Sequence, residues 1–245
     1  MAGHSHWANI AHKKAAIDRK RGRLFSKLAR RIIAAAKSGG GDPGANLTLA
    51  NAISAARSAN MSNDQIQRAI QRAVGGLDAG NFEELTYEGY APGGAAVLIE
   101  ALTDNRNRTG GEVRSIFTRS GGNLGTSGSV AWQFSRLAVV RVPSEGVGED
   151  DLMMAVLEAG ADTMEADGDA FEIRGAPEAL DTLRAAVEGA GLTASSADVV
   201  YVPNDSCPID AETGARVAAL LEALEENDDV QNVYSNAEFP EGFEA

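Results

Sequence analysis

Three histidines lie close together near the start of the chain, His4, His6 and His12, with Trp7 and Asn9 between them. Histidines at short spacing can bind zinc, but a structural site needs four ligands. The chain has no other histidine and only one cysteine, so the sequence predicts no metal site. Trp7 could stack on a base or pack against the protein, and both alternatives stay open. His4 and Asn9 are candidate polar contacts to phosphate or ribose.

Two other patterns could indicate catalysis or nucleotide binding, and both are incomplete. Ser5 stands beside two histidines, but no acid is placed to orient them as in a hydrolase triad. The segment "SGGNLGTSGS" (120–129) is rich in glycine, yet it lacks the lysine and the spacing of a phosphate-binding P-loop. We interpret it as a tight, mobile loop and a contact surface for a large partner. The sequence predicts no enzyme, no cofactor and no small-molecule substrate.

Ten cations lie between residues 13 and 37, where there is one acid, Asp18. Lysine and arginine bind phosphate groups through the release of counterions, without reading base sequence. The alternative is an ordinary helix face that is exposed to water. We favour nucleic acid as the partner. The predicted nucleic-acid-binding residues are Lys13, Lys14, Arg19, Lys20, Arg21, Arg23, Lys27, Arg30, Arg31 and Lys37.

A second group of cations lies in "TDNRNRTGGEVR" (103–114), near the start of a predicted helix. Helix starts favour phosphate, so these residues form a candidate second anion site. Its members are Arg106, Arg108 and Arg114. The alternative, which we favour, is that they pair with the nearby acids Glu100, Asp104 and Glu112.

Charge is strongly segregated along the chain, whose net charge is −13 over 245 residues. Residues 1–76 carry 13 lysines and arginines against 3 acids, a net charge of +10, and the remainder carries −23. This asymmetry predicts a basic module for a polyanion, attached to an acidic body. The acidic run around residues 225–229 is interpreted as aiding solubility or repelling nucleic acid. No apolar run is long enough for a membrane span, and the basic start lacks the apolar region of a secretory signal, so we expect a cytoplasmic protein.

The first predicted elements are helical. Residues 23–37 form a helix with apolar residues on one side and Arg23, Lys27, Arg30 and Arg31 on the other. A second helix covers 46–59, and Ser62 with Gln65 forms a capping box that opens a third. If the cations face solvent, glutamine at Lys27, Arg30 and Arg31 weakens binding and leaves the fold intact.

Strands and helices alternate after residue 80. Strands are predicted at 95–102 and 128–134, with a helix at 107–122 between them. The order from residue 136 to 203 is β-α-β-β-α-β, which is typical of a split-βαβ, ferredoxin-like unit. A final helix (210–227) and strand (229–236) cannot form a core alone, so we expect them to complete the sheet of the middle region.

The predicted fold class is therefore α+β: an N-terminal three-helix bundle followed by two α/β-sandwich (ferredoxin-like) domains, one inserted in the other. The predicted domains are a basic arm and helical bundle (1–78), a discontinuous α/β domain (79–135 plus 204–245) and an inserted ferredoxin-like domain (136–203). Charge changes sign at the first of these boundaries.

Several blocks of sequence resemble the YebC/PmpR family: "AGHSHWANIAHKKAAID", "GGGDPGAN", "ANMSNDQIQRAI", "YEGYAPGGAAVLIEALTDNRNRT", "GSVAWQF" and "LEENDDVQNVYSNAEF". That family includes probable transcriptional regulators and a mitochondrial translational activator, and some members act on stalled ribosomes. The resemblance implies three domains and no enzymatic activity. Family members often have basic residues where this chain has Leu47, Thr48, Leu49 and Ala50, so we expect residues 13–37 to make most anionic contacts.

These observations predict a non-enzymatic, nucleic-acid-binding regulator of gene expression. The resemblance favours a DNA-binding transcriptional regulator. The alternative is a ribosome-associated translation factor that binds rRNA and relieves stalling at proline-rich sequences. The residues themselves favour this alternative, because no helix-turn-helix, zinc finger or RNP pattern for reading bases is recognisable. Membranes are not expected among the partners.

Overall fold

The computed structural model describes residues 17–75 and 81–243, with side chains described from residue 22 onward. Within these ranges the chain forms seven α-helices and two four-stranded antiparallel sheets. It divides into two compact units. One unit is Trp132–Ser206, and the other contains the described residues before and after it. None of the described helices is long and apolar enough to cross a bilayer.

The elements are numbered in chain order. The helices are α1 (Ile17–Gly39), α2 (Leu47–Ser58), α3 (Asn63–Val74), α4 (Arg106–Arg119), α5 (Glu149–Glu158), α6 (Leu180–Gly189) and α7 (Ala211–Glu225). The strands are β1 (Glu83–Tyr90), β2 (Ala96–Thr103), β3 (Asn123–Leu124), β4 (Phe134–Pro143), β5 (Ala161–Asp167), β6 (Ala170–Gly175), β7 (Ser196–Pro203), β8 (Cys207–Pro208), β9 (Val230–Ser235) and β10 (Ala237–Glu238).

One asparagine side chain joins α1 to α2. Asn46 is the N-cap of α2, and its Oδ1 accepts the Leu49 N–H at 3.1 Å. Its Nδ2 donates to the main-chain oxygens of Ala35 at 2.8 Å and Gly40 at 2.9 Å. The same amide therefore serves the C-terminal end of one helix and the start of the next.

The first three helices pack into a bundle. The capping box predicted for α3 is confirmed, since Ser62 Oγ accepts the Gln65 N–H at 3.3 Å and Gln65 Oε1 accepts the Ser62 N–H at 3.1 Å. The helices bury apolar side chains three or four positions apart. The buried core includes Leu28, Ile32, Ile33, Leu49, Ile53, Ile66 and Ile70.

The first sheet has the strand order β3-β1-β2-β9 and belongs to the same unit as the bundle. Strand β9 pairs with β2 from the far end of the chain, and Val233 lies opposite Ile99. Helices α4 and α7 share the core of this sheet, whose members include Val97, Ile99, Val113, Phe117, Leu220 and Leu221. The short strands β8 and β10 pair in parallel.

The second sheet, in the unit Trp132–Ser206, has the order β5-β6-β4-β7 and is antiparallel throughout. Numbered within the unit, this order is 2-3-1-4, the arrangement of a split-βαβ sandwich. Helices α5 and α6 bury Leu152, Val156, Leu183 and Val187 in its core. The α+β fold class is confirmed.

One predicted element is wrong. Residues 128–134 were expected to be a strand, but a 3₁₀ turn lies at Ala131–Gln133 and β4 begins at Phe134. β4 (Phe134–Pro143) is the first strand of the β-α-β-β-α-β order, and Phe134 alone of the predicted strand 128–134 lies in it. Hydrogen bonds to Glu88 hold the preceding loop, which keeps it from pairing as a strand. The three-domain boundaries stay a prediction.

Candidate nucleic-acid interface

The structure describes the side chains of five of the ten cations predicted to bind nucleic acid. These are Arg23, Lys27, Arg30, Arg31 and Lys37, all on α1. Arg19, Lys20 and Arg21 lie in α1 ahead of them, without described side chains. Lys13, Lys14, His4, Trp7 and Asn9 lie outside the described residues.

Cations of α1 lie against residues 225–229, which we call the acidic segment. Arg23 Nη1 lies 2.5 Å from Glu226 Oε1, and both side chains are substantially exposed. One turn further along α1, Lys27 Nζ donates to the main-chain oxygen of Glu225 at 2.6 Å. The acidic segment therefore faces α1 directly, in contrast to the expected role in solubility or repulsion.

The contact continues at Arg30. Its Nη1 donates to the main-chain oxygen of Asp228 and, at 2.8 Å, to Asp229 Oδ1. The other carboxylate oxygen of Asp229 accepts hydrogen bonds from Arg108 Nη2 at 2.7 Å and from Thr109 Oγ1 at 2.6 Å. Asp229 is 4% exposed. A single buried carboxylate thus joins α1 to the start of α4.

The electrostatic environment favours the ionised form of Asp229. Burial alone raises the pKa of this carboxyl group, but the hydrogen bonds from Arg108 and Thr109 and the charges of Arg108 and Arg30 outweigh burial. The pKa of Asp229 consequently lies below its ordinary value. The hydrogen bond with Asp229 is also the main cause of a raised pKa for Arg108.

The polarity of α7 explains why α1 contacts it here. The last carbonyl groups of a helix lack partners within the helix and carry partial negative charge, which cations stabilise. Helix α7 ends with Glu225 and has no basic residue in its last turn. Lys27 of α1 binds the Glu225 oxygen there instead, and Arg30 binds the Asp228 oxygen just beyond the end of the helix. Burial lowers the pKa of Lys27, although the charges of Glu225 and Asp228 act in the opposite direction.

Two residues of the predicted basic face are therefore not directed freely into solvent. Lys27 and Arg30 are half-buried and hydrogen-bonded to the acidic segment. The expectation that all of these side chains face solvent is wrong, because periodicity places a residue on a helix face without revealing what covers that face. Acids in the last turn of a helix, where cations are favoured, are the sequence signal that could have indicated this contact.

Other cations of the helical bundle differ in their contacts. Arg31 is half-buried, and Arg57 and Arg72 are exposed, and these three side chains make no ion pair with another described residue. Lys37 is exposed near the end of α1. Arg68 forms an ion pair with Asp64 on the surface of α3. We expect such a surface pair to add little to stability.

The three arginines of the candidate second anion site differ in their contacts. Arg108 lies 2.9 Å from Asp104 Oδ1 and also binds Asp229, so it matches the ion-pair alternative. Arg106 and Arg114 are exposed and form no ion pair within the described chain. The other acids named in that alternative are engaged elsewhere: Glu100 binds Asn232 and Tyr234, and Glu112 binds Asn227.

A polar cleft of about 970 Å³ lies beside the contact between α1 and the acidic segment. Arginines and carboxylates line it together, and Phe82 is an aromatic residue of the lining. Its charged lining residues are Arg23, Arg30, Arg72, Arg108, Asp104, Glu112, Glu226, Asp228 and Asp229. Arg72 is the cation of this lining with no ion pair among the described residues, so the cleft offers one free positive charge to an anion.

The glycine-rich loop predicted as mobile is fixed by a carboxylate that sequence analysis missed. Glu88 of β1 is 5% exposed and accepts the main-chain N–H groups of Gly128 at 2.6 Å, Val130 at 2.7 Å and Ala131 at 2.8 Å. Burial tends to raise the pKa of Glu88, but these three hydrogen bonds lower it overall. The one feature of the sequence that could have indicated this contact is an acidic residue within a partly apolar strand.

Among the described residues, no three His, Cys, Asp or Glu side chains lie together in a way that could hold a metal ion. Cys207 is a half-buried free thiol, and burial raises its pKa.

Comparison with known proteins identifies similar sequences along almost the entire chain. Residues 5–76 match the model of the TACO1/YebC protein N-terminal domain, and residues 82–237 match that of the TACO1/YebC second and third domain. A probable transcriptional regulatory protein of Rubrobacter xylanophilus is 52% identical over 242 residues, covering 98% of this chain and 97% of the relative. One from Pelotomaculum thermopropionicum is 50% identical over 240 residues, covering 97% and 99%.

A solved structure is also similar. The crystal structure of a conserved hypothetical protein from Aquifex aeolicus matches with a TM-score of 0.86 and 46% sequence identity. The match covers 96% of this chain and 98% of that one.

Proposed function

This chain belongs to the TACO1/YebC family, and on that premise we propose that it is a non-enzymatic, nucleic-acid-binding regulator of gene expression. Its curated relatives are named probable transcriptional regulatory proteins, so duplex DNA is the first candidate partner. The observation that carries the proposal is the charge segregation: a net +10 in residues 1–76 on a chain of net −13. The protein acts in the cytoplasm.

The proposed binding surface consists of the cations that precede and begin α1, together with a bundle arginine that forms no ion pair among the described residues. Lys13, Lys14, Arg19, Lys20 and Arg21 are the core of this surface, and Arg31 extends it. Such cations contribute affinity by releasing counterions from phosphates, which makes binding strongly dependent on salt. The acidic remainder of the chain limits unspecific association.

A second candidate function is a ribosome-associated translation factor that binds rRNA and relieves stalling at proline-rich sequences. The contact between α1 and the acidic segment favours it. A recognition helix must present one unobstructed face to the major groove, but Lys27 and Arg30 already bind main-chain oxygens of the protein. Binding to phosphate backbones of a folded RNA requires no such face.

The test compares two variants that lose the same charge. Lys13→Gln/Lys14→Gln removes two predicted contacts, and Arg136→Gln/Arg184→Gln removes two cations from the unit Trp132–Ser206. Fluorescence anisotropy with a labelled random-sequence DNA duplex and a labelled rRNA hairpin measures affinity across a salt series. The salt slope is the slope of log affinity against log salt concentration. For a probe that the protein binds, we expect Lys13→Gln/Lys14→Gln to reduce this slope by about two units and the control variant to leave it unchanged.

Sedimentation of lysates on sucrose gradients distinguishes the two candidates. Co-migration with ribosomes that disappears at high salt supports the translation factor, and a protein that stays at the top yet binds duplex DNA supports the transcriptional regulator. Salt-insensitive or absent binding of both probes contradicts the proposed function.

A further inference from the structure

We propose that the acidic segment 225–229 is an internal competitor for nucleic acid, which occupies the cations of α1 until phosphates displace it. This inference rests on the proposed function and concerns the cations of α1 that continue the proposed binding surface, Arg23, Lys27 and Arg30. Its partner is defined chemically as a phosphodiester backbone, whether DNA or RNA supplies it.

The geometry of the contact resembles the way a phosphate backbone is bound. Arg23, Lys27 and Arg30 follow one another along one side of α1, and each binds an oxygen of the acidic segment. Carboxylate and carbonyl oxygens present a row of acceptors to these cations, as phosphate oxygens would. Cations that hold the acidic segment are therefore unavailable to nucleic acid, and the reverse is also true.

The strength of the contact is graded along the helix. Arg23 and Glu226 have side chains 38% and 53% exposed, so water and salt weaken this pair. The side chains of Arg30 and Asp229 are 25% and 5% exposed, and Asp229 is held by further hydrogen bonds. Exchange for phosphate should begin at the Arg23 end and leave the Asp229 end as a fixed attachment.

Two charged residues outside the direct contacts also favour displacement that begins at the Arg23 end. The Asp228 carboxylate is exposed and acts on both Arg23 and Lys27. Arg72 lines the adjoining cleft without an ion pair among the described residues. A phosphate that displaces the Glu226 side chain therefore gains Arg23, in a cleft that Arg72 also lines.

The experiment removes the two exposed acids without touching Asp229. Glu226→Gln/Asp228→Asn is compared, as the full chain, with Asp150→Asn/Asp151→Asn, which removes the same charge from the first turn of α5. Anisotropy of a fluorescein-labelled random-sequence DNA duplex and of an RNA hairpin is recorded from low to high salt. Thermal unfolding of both variants verifies that each remains folded.

We expect Glu226→Gln/Asp228→Asn to bind both probes about tenfold more tightly at low salt, with a salt slope steeper by about one unit. Asp150→Asn/Asp151→Asn should change affinity much less, because no cation of α1 is freed. An equal gain in both variants overturns the proposal, since net charge alone would then explain the effect. Unchanged or weaker binding by Glu226→Gln/Asp228→Asn also overturns it.

A double-mutant cycle tests whether Glu226 acts through Arg23. Glu226→Gln should raise affinity when Arg23 is present and have little effect in the Arg23→Gln background. A gain of the same size in both backgrounds overturns the competitor role. If wild type and every variant fail to bind either probe, the proposed function itself is wrong; if wild type binds and only the gain is absent, the inference alone is wrong.

Discussion

Arg30 of α1 and Asp229, which lies 199 residues later in the chain, form an ion pair with 2.8 Å between Nη1 and Oδ1. Arg108 holds the other oxygen of the same carboxylate at 2.7 Å. The helical bundle is consequently attached to the sheet that contains β9 through one buried acid. We expect the buried carboxylate to contribute more to the free energy of unfolding than the neighbouring exposed pair, and substitutions can measure the two contributions separately.

Asp229→Asn should lower the free energy of unfolding by about 2 kcal/mol. Breaking a fully buried ion pair costs more than this, but both arginine partners of Asp229 are partly solvated, which reduces the loss. Asparagine keeps the size of the side chain but loses the charge and one of the acceptor oxygens. Urea unfolding monitored by circular dichroism measures the change. Asp228→Asn is the matched control, because Asp228 is exposed and its loss should cost under about 0.5 kcal/mol. Equal losses in the two variants would contradict the buried attachment.

Acid should remove the contribution of Asp229 selectively. The pKa of Asp229 is depressed in the folded protein, so the unfolded state binds the proton more readily and stability falls as the pH decreases. The contribution is complete above the ordinary aspartate pKa of about 3.9 and is lost as the pH falls through the lower folded value. Unfolding free energies of wild type and Asp229→Asn should therefore converge in acid. A constant difference from neutral pH to strong acid would be the contrary result.

Glu88→Gln should loosen the loop that follows β3. The two carboxylate oxygens of Glu88 accept three N–H groups, whereas a glutamine amide has one acceptor oxygen. We therefore expect the free energy of unfolding to fall by about 1–3 kcal/mol. Limited proteolysis should show faster cleavage within residues 120–131. Glu84→Gln, an exposed change on the same strand, is the control and should leave cleavage unchanged.

Two glycine substitutions should have opposite effects. A Cβ at Gly89 would lie 2.7 Å from the Asn123 main-chain oxygen and 2.7 Å from Phe117 Cε1, so Gly89→Ala must displace β3 or the core. At Gly111, inside α4, a Cβ meets no described atom within 4 Å. Gly111→Ala should stabilise the protein by roughly 0.5–1 kcal/mol. Thermal unfolding measures both, and a destabilised Gly111→Ala would show that the helix needs the glycine.

Substitution of the basic face should separate binding from stability. Arg31→Gln removes a cation that forms no ion pair among the described residues, so it should weaken polyanion binding and reduce the salt slope by about one unit without changing stability. Lys27→Gln/Arg30→Gln should also destabilise the fold, because both side chains bind the acidic segment. Anisotropy and urea unfolding on the same samples distinguish the two effects. Intact stability in Lys27→Gln/Arg30→Gln would restore the solvent-facing interpretation.

Local signals in the sequence predicted much of the fold. The Ser62–Gln65 capping box fixes the start of α3 within four residues of chain, and the apolar spacing of Ile66 and Ile70 identifies its inward face. The β-α-β-β-α-β order similarly predicted the second sheet, since every strand partner lies within the segment 134–203. These features depend on neighbours that periodicity and capping can reveal.

The contacts of the candidate site could not be predicted in the same way. Arg23 and Glu226 are 203 residues apart, and no local pattern indicates that one meets the other. Glu88 was missed because its partners are main-chain N–H groups, which carry no residue-type signal. Sequence therefore identified which side chains are charged, whereas long-range packing decides which charges remain free.

The strand order of the first sheet also constrains how the chain folds during synthesis. The unit Trp132–Ser206 is continuous, so all four of its strands are available once residue 206 has left the ribosome. The first sheet needs β9, and β2 keeps an unpaired edge until residues 230–235 emerge. Domains generally fold as their segments become available, so the unit Trp132–Ser206 should acquire its structure before the first sheet is complete. The N-terminal cations, made earliest, obtain their carboxylate partners last.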